Sequence, residues 1–303
     1  MNICVEEFQR SYFTSANCRL SYVDFGNSTK PDLLLLHGMR DHALSMVELA
    51  RAFRDDYHVI ALDLRGHGYS DNPGVYTMVQ FVADVRALVE HCNMEKPVIV
   101  AHSLGGHIAS WYCAVYQHEV SKLALLDGMG PPHIDKKLQP DELRELLKEG
   151  IETVSDLGSE ARQLENAAEA LARLTGNNPQ LRPALAKIII ENGVQPHPQG
   201  GVQWRWDPAL RMLWHTFSHQ ENEVMWSCIE CPVLMVTGQY GLTYWANMRK
   251  DLTGRQEFYE SVLEHRQKLF KDARHVVIQG AGHMLHYDQP ELLAATLREF
   301  LES

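Results

Sequence analysis

The chain has 303 residues, 45% hydrophobic and 22% charged, enough for one large α/β core with an insertion and ordinary for a globular enzyme. Its net charge of −11, with no basic cluster, excludes a binder that tracks nucleic-acid phosphates, since neutralising them takes Lys and Arg. Residues 1–10 carry Glu6 and Glu7 and no apolar run, so no signal peptide is expected; no stretch reaches bilayer length, and six scattered cysteines fit a reduced, cytoplasmic chain.

In chain order, residues 8–25 predict two strands, the second alternating apolar and polar positions over 17–25. Residues 33–36 form a short apolar strand ending at His37-Gly38-Met39, and 44–54 predict an amphipathic helix. A buried strand over 59–62 runs into Asp63-Leu64-Arg65-Gly66-His67-Gly68-Tyr69-Ser70, followed by a helix over 76–92 with Val79, Val82, Val85, Leu88 and Val89 at helical spacing. A strand over 98–101 leads to Ser103 and a helix from Leu104 to about 117; another strand, 123–126, ends at Asp127. From 134 to 228 no buried strand is expected, only helical segments near 141–148, 160–174 and 182–191 and an aromatic-rich stretch. The sheet resumes at 232–236, and a helical stretch over 255–270 leads to a strand at 275–278, the turn Gly280-Ala281-Gly282-His283 and a last helix over 290–301. Alternating short strands and amphipathic helices predict a mainly parallel, eight-stranded sheet covered on both faces. Residues 1–133 and 229–303 are then the sheet domain, and 134–228 a helical cap inserted after strand six. Neither repeats nor low-complexity tracts occur.

Ser103 sits on a strand-to-helix turn with Ala101 two residues before it and Gly105 two after. That is a nucleophile elbow: the turn is tight and strained, so a large side chain at either flank would clash. The new helix also points its first N–H groups at whatever binds there.

With these pieces the chain resembles α/β-hydrolase-fold enzymes. The resemblance rests on His37-Gly38-Met39 after the third strand and Asp63-x-Arg65-Gly66-x-Gly68-x-Ser70 after the fourth. It continues with the Ser103 elbow after the fifth and Gly282-His283-Met284-Leu285-His286 after the last. The order is that of the family, and the motifs span nearly the whole chain outside the cap. Leu125-Leu126-Asp127-Gly128 adds a closer likeness to the serine-hydrolase-like branch. The resemblance implies His283 as the base that takes the Ser103 proton, since the serine is a weak nucleophile unaided. It implies the backbone N–H groups of Met39 and Leu104 as the oxyanion hole, with His37, Gly38 and Gly105 shaping the two turns. The Asp63–Ser70 loop is read as structural, and His102, His107 and His286 as structural or pocket-lining.

The family usually carries its acid after the strand that follows the cap, in a Gly-x-x-Asp pattern; here that position holds Gly241. Asp127 is the best candidate instead. Its strand climbs to the same rim as Ser103, and adjacent strands lie about 4.8 Å apart. Asp251 is the fallback. Ser103 stands where epoxide hydrolases and haloalkane dehalogenases of this fold use Asp. A carboxylesterase acting on a small acyl substrate is therefore expected, with a thioesterase, a C–C hydrolase or a slow-turnover ligand sensor as alternatives. No cofactor and no metal are expected: Cys228-x-x-Cys231, His283-x-x-His286 and the pair His215 and His219 all lack a convincing further ligand. Trp204, Trp206, Trp214, Phe217 and Trp226, with Met212 and Met225, either line an acyl pocket or pack the cap's own core. The oligomeric state is not legible.

Overall fold

The structure, a computed structural model, describes residues 8–132, 139–155, 162–215 and 217–303. The strands are β1 (Gln9–Ser15), β2 (Cys18–Asp24), β3 (Asp32–Leu36), β4 (His58–Leu62), β5 (Val98–His102), β6 (Lys122–Leu126), β7 (Val194–Pro196), β8 (Val202–Trp204), β9 (Val233–Gly238) and β10 (Ala273–Ile278). Eight of them form one sheet in the order β1-β2-β4-β3-β5-β6-β9-β10. β1 and β2 pair antiparallel, as do β2 and β4; every other neighbour is parallel.

Period-two alternation divides the strand side chains between two cores. Leu34, Leu36, Ile99 and Ala101 point to one face, Leu33, Leu35, Val98 and Val100 to the other. The first face is covered by α2 (Met78–His91), α3 (Leu104–Val115), α7 (His219–Ser227) and α9 (Gln256–Gln267), through Phe81, Val85, Ile108, Tyr112, Trp226 and Leu263. The second is covered by α1 (Val47–Phe53), α6 (Pro183–Gly193) and α11 (Pro290–Glu302), through Phe53, Leu185, Ile189, Leu293 and Phe300. At roughly 1.5–3 kcal/mol for each such side chain fully buried, these two layers are the main attraction that holds the sheet domain together. Local signals set the helix starts: Thr77 accepts a hydrogen bond from Gln80 N at the head of α2, and α6 and α11 each open on a proline.

Three further helices are α4 (Pro140–Ser155), α5 (Ala167–Asn177) and α8 (Gly241–Met248), and α10 (Leu285–Asp288) is a single turn. Among the described residues, the segment between β6 and β9 adds no strand to the main sheet. It does hold a half-buried antiparallel hairpin, β7 with β8, which the sequence reading lacked: three-residue strands around the left-handed pair Gly200-Gly201 are too short to show a period. The aromatic residues of this segment divide. Trp204 and Trp206 line a cavity, whereas Trp226, 1% exposed, stacks on Phe270 in the core of the sheet domain rather than in a core of the cap. α7 packs on α3. His215 ends a 3-10 stretch over Pro208–His215 and His219 begins α7, so the pair shares no helix face. No disulfide joins the described cysteines, and no helix among the described residues is long and apolar enough to cross a membrane.

The Asp63–Ser70 loop is tied down by its own side chains. The Asp63 carboxylate accepts from Ala43 N at 2.8 Å, Tyr69 N at 3.1 Å and the Arg10 guanidinium at 2.6 Å, while Ser70 Oγ donates to Asp63 O at 2.5 Å. Arg65 forks onto Asp84 of α2 through two 2.6 Å hydrogen bonds, both side chains fully buried. A β-carbon on Gly68 would lie 2.4 Å from the Asp63 carboxylate, and its φ is +56°, so glycine is required there.

Candidate active site

Ser103 follows β5 and opens α3 with φ 49° and ψ −116°, a strained conformation that lifts its side chain out of the sheet. Its N–H continues the ladder to Leu126 O at 3.0 Å, and its carbonyl accepts from Gly106 N at 2.9 Å. The turn closes only because its neighbours are small. A β-carbon on Gly105 would lie 2.6 Å from Leu36 O, and one on Gly106 would lie 2.7 Å from Gly128 Cα. Gly38 lets the turn after β3 pass Ser103, since a β-carbon there would come within 3.1 Å of Ser103 Cβ and 2.7 Å of His102 Nδ1. Met39 lies in that turn and lines the cavity over Ser103; Leu104 is fully buried as the first residue of α3. His37 Nδ1 donates to Gly38 O at 2.7 Å and its Nε2 accepts from Leu64 N at 3.0 Å, which ties the same turn to the end of β4.

The parallel strand ends β5, β6, β9 and β10 share one rim, and the three sequence-predicted side chains meet on it. His283 Nε2 lies 3.1 Å from Ser103 Oγ, and His283 Nδ1 lies 2.5 Å from Asp127 Oδ2. Asp127 takes φ 45° and hangs from Val236 O through its N–H at 2.7 Å. Asp127 and His283 are buried and Ser103 is half-buried. Gly238 allows the His283 loop to close on β9, because a β-carbon there would lie 2.2 Å from Gly282 O. Asp251 stays on the surface, 2.7 Å from Arg249.

Several residues around the histidine carried no signal in the sequence. Tyr244, on α8, stacks on the His283 ring at 3.9 Å and 11°, and Trp245 meets it edge-on at 5.4 Å. Burial, and next the Asp127 charge, pushes the Tyr244 hydroxyl pKa up. Burial and Asp127 raise that of Tyr259 in the same way. The buried Arg266 guanidinium donates to Gly130 O at 2.9 Å and Pro131 O at 2.8 Å, holding the turn that follows Asp127. Leu242 and Trp245 are the buried apolar positions of α8, too short a run to mark a helix in the sequence.

Behind Ser103, Asp41, His102 and His286 form a buried cluster whose possible ligand atoms all lie within 4.8 Å of one another, the one grouping of three metal-ligating side chains among the described residues. His102 Nε2 donates to His283 O at 2.9 Å, and Tyr287 Oη and His42 N donate to Asp41. The cluster braces the His283 loop from below. Burial, then its histidine neighbours, holds the His102 pKa well below its ordinary value, so the ring is neutral. His107, also neutral, accepts from Asn222 Nδ2 at 2.6 Å and links α3 to α7.

Residues 31–290 match the alpha/beta hydrolase fold family. Serine hydrolase-like protein 2 of Homo sapiens is 25% identical over 289 residues, covering 92% of this chain and 89% of the relative. A putative esterase/lipase of Haemophilus influenzae is 24% identical over 274 residues, covering 89% and 83%. Epoxide hydrolase 4 of Mus musculus is 37% identical, but over 117 residues that cover 37% of this chain and 32% of that one. Among solved structures, the thioesterase domain from the curacin biosynthetic pathway superposes with a TM-score of 0.80 at 21% identity, covering 96% and 99%, a likeness of fold. The chain belongs to the alpha/beta hydrolase fold family.

Proposed function

We propose that the protein is a serine hydrolase that cleaves carboxylic esters through an acyl-enzyme. The observation that carries this reading is the continuous relay from Ser103 Oγ to His283 Nε2 at 3.1 Å and from His283 Nδ1 to Asp127 Oδ2 at 2.5 Å. Nucleophile, base and orienting acid stand in that order within hydrogen-bond reach. Ser103 attacks the ester carbonyl while His283 takes its proton. The tetrahedral oxyanion is held by the N–H groups of Met39 and Leu104, each such donor contributing about 3 kcal/mol in comparable sites. His283 then passes the proton to the leaving alcohol, and water repeats the sequence to free the acid. Epoxide-hydrolase chemistry is disfavoured although a partial relative bears that name, because the attacking position holds a serine.

The test is direct. Hydrolysis of p-nitrophenyl butyrate and labelling by a fluorophosphonate probe should both vanish in Ser103→Ala, with the circular dichroism unchanged. A variant that keeps wild-type kcat overturns the mechanism.

A further inference from the structure

The cavity of about 640 Å³ over Ser103 shares Arg40, Asp41, Leu174 and Tyr287 with a neighbouring cavity of about 700 Å³, so the two are adjoining chambers. The neighbour is lined by four arginines, Arg40, Arg162, Arg173 and Arg205, against a single carboxylate, Asp41. In a chain with 28 basic and 39 acidic residues, that is a local reversal of sign.

Asp41 does not neutralise these arginines. Its oxygens accept from Tyr287 Oη at 3.1 Å and His42 N at 2.9 Å, and it faces His286. Arg173 is held by Glu169 at 2.7 Å. Arg40 and Arg205 differ: among the described residues no carboxylate lies within ion-pair distance of either. Arg205 donates Nε to Val194 O at 3.0 Å and Nη1 to Gln195 at 3.2 Å, and its guanidinium lies 4.1 Å over the Tyr69 ring. Arg40 is exposed and lies 4.9 Å over the Trp206 ring. A guanidinium laid on an aromatic face is oriented while its N–H groups stay turned away from the ring. Among the described residues Arg40 makes no side-chain hydrogen bond, and Arg205 keeps its Nη2 for a carboxylate or phosphate oxygen. Arg40 also follows Met39 directly in the chain and lines both chambers, so it stands where the two meet. Trp204, Trp206 and Leu174 supply the apolar walls between the two ends.

We propose that the substrate is an ester carrying a second, anionic group, a carboxylate or a phosphate, which Arg40 and Arg205 hold in the neighbouring chamber while the ester carbonyl meets Ser103. This substrate class rests on the hydrolase reading above. The ester bond breaks as in the two-step transfer; the anionic group takes no part in bond making and serves to orient the chain.

The experiment compares kcat/KM for three p-nitrophenyl esters of matched length: hexanoate, adipate with a free terminal carboxylate, and 5-phosphonopentanoate. At least one anionic ester should exceed hexanoate by about tenfold or more, as expected of a charge-assisted hydrogen bond. That ratio should fall at high salt, which screens a solvent-reached charge. It should also collapse in Arg40→Gln and in Arg205→Gln; the choice between adipate and the phosphonate identifies the group. Wild-type preference for hexanoate, or an unchanged ratio in both variants, overturns the proposal. If no ester turns over, the hydrolase reading fails, and binding decides separately. In Ser103→Ala, monomethyl adipate and 5-phosphonopentanoate methyl ester should titrate calorimetrically more tightly than methyl hexanoate, with the difference lost on adding Arg40→Gln. Equal binding of all three overturns the proposal.

Discussion

Asp127 and Gly241 converge on one spot. A β-carbon on Gly241 would lie 3.7 Å from Asp127 Oδ1, so the loop after β9, where the family pattern expects the acid, points at the place Asp127 already fills from the end of β6. On the proposed mechanism, Asp127 stands in for the missing Gly-x-x-Asp from the same rim. Asp127→Asn should lower kcat by about 10⁴, by the trypsin precedent, because an amide facing Nδ1 selects the wrong tautomer. Stopped-flow ester kinetics check this, and a loss under tenfold would remove Asp127 from the mechanism. Ser103 and His283 were legible because a strained turn and a glycine-flanked loop dictate local residue types; Asp127 was legible from strand-end geometry. Tyr244 was not, since stacking on His283 is decided by how α8 docks. Its ring faces an imidazole that becomes cationic during the reaction, so Tyr244→Ala should cost about 1–2 kcal/mol of transition-state stabilisation, roughly tenfold in kcat, with Tyr244→Phe near wild type. Equal losses in both variants would mean that the hydroxyl, not the ring face, matters.

At the scale of elements, the parallel strands were readable because each is a short apolar run with helices between, a pattern few other folds produce. α8, the β7–β8 hairpin and the split fate of the aromatics were not, because segments this short take their shape from what they dock on. The loop after β4 shows what a motif without chemistry does. Arg65 and Asp84 fork together inside the domain, joining that loop to α2. Removing one partner strands a buried charge, which costs more than the pair contributes. Asp84→Ala should therefore destabilise by about 3–5 kcal/mol in urea unfolding. The double variant Arg65→Met with Asp84→Leu, which leaves no unpaired charge, should recover most of that loss. A single variant within about 0.5 kcal/mol of wild type would show the pair to be solvated rather than buried.

For the molecule as a whole, buried histidines set the response to acid. The chain has 16 histidines, and His37, His67, His102 and His107 are buried with pKa values held below the ordinary one, burial being the largest cause in each. For His67 and His107 the folded value drops to about 3. The unfolded chain binds these protons near pH 6.5, whereas the fold refuses them until about pH 3. The unfolded state therefore holds more protons throughout that window, and stability falls as pH falls through it. Each fully mismatched histidine contributes a slope of about 1.4 kcal/mol per pH unit. His67 isolates one of them: its Nδ1 donates to Arg65 O at 3.0 Å, a bond that an asparagine amide can replace without a titrating group. His67→Asn should flatten the fall in unfolding free energy between roughly pH 5.5 and 4 by about that slope, read from urea midpoints across the series. Parallel wild-type and variant profiles would mean that His67 takes up its proton in the folded protein, and the acid sensitivity would then have to come from His37, His102, His107 and His275, the last also held low by burial, together with the carboxylates.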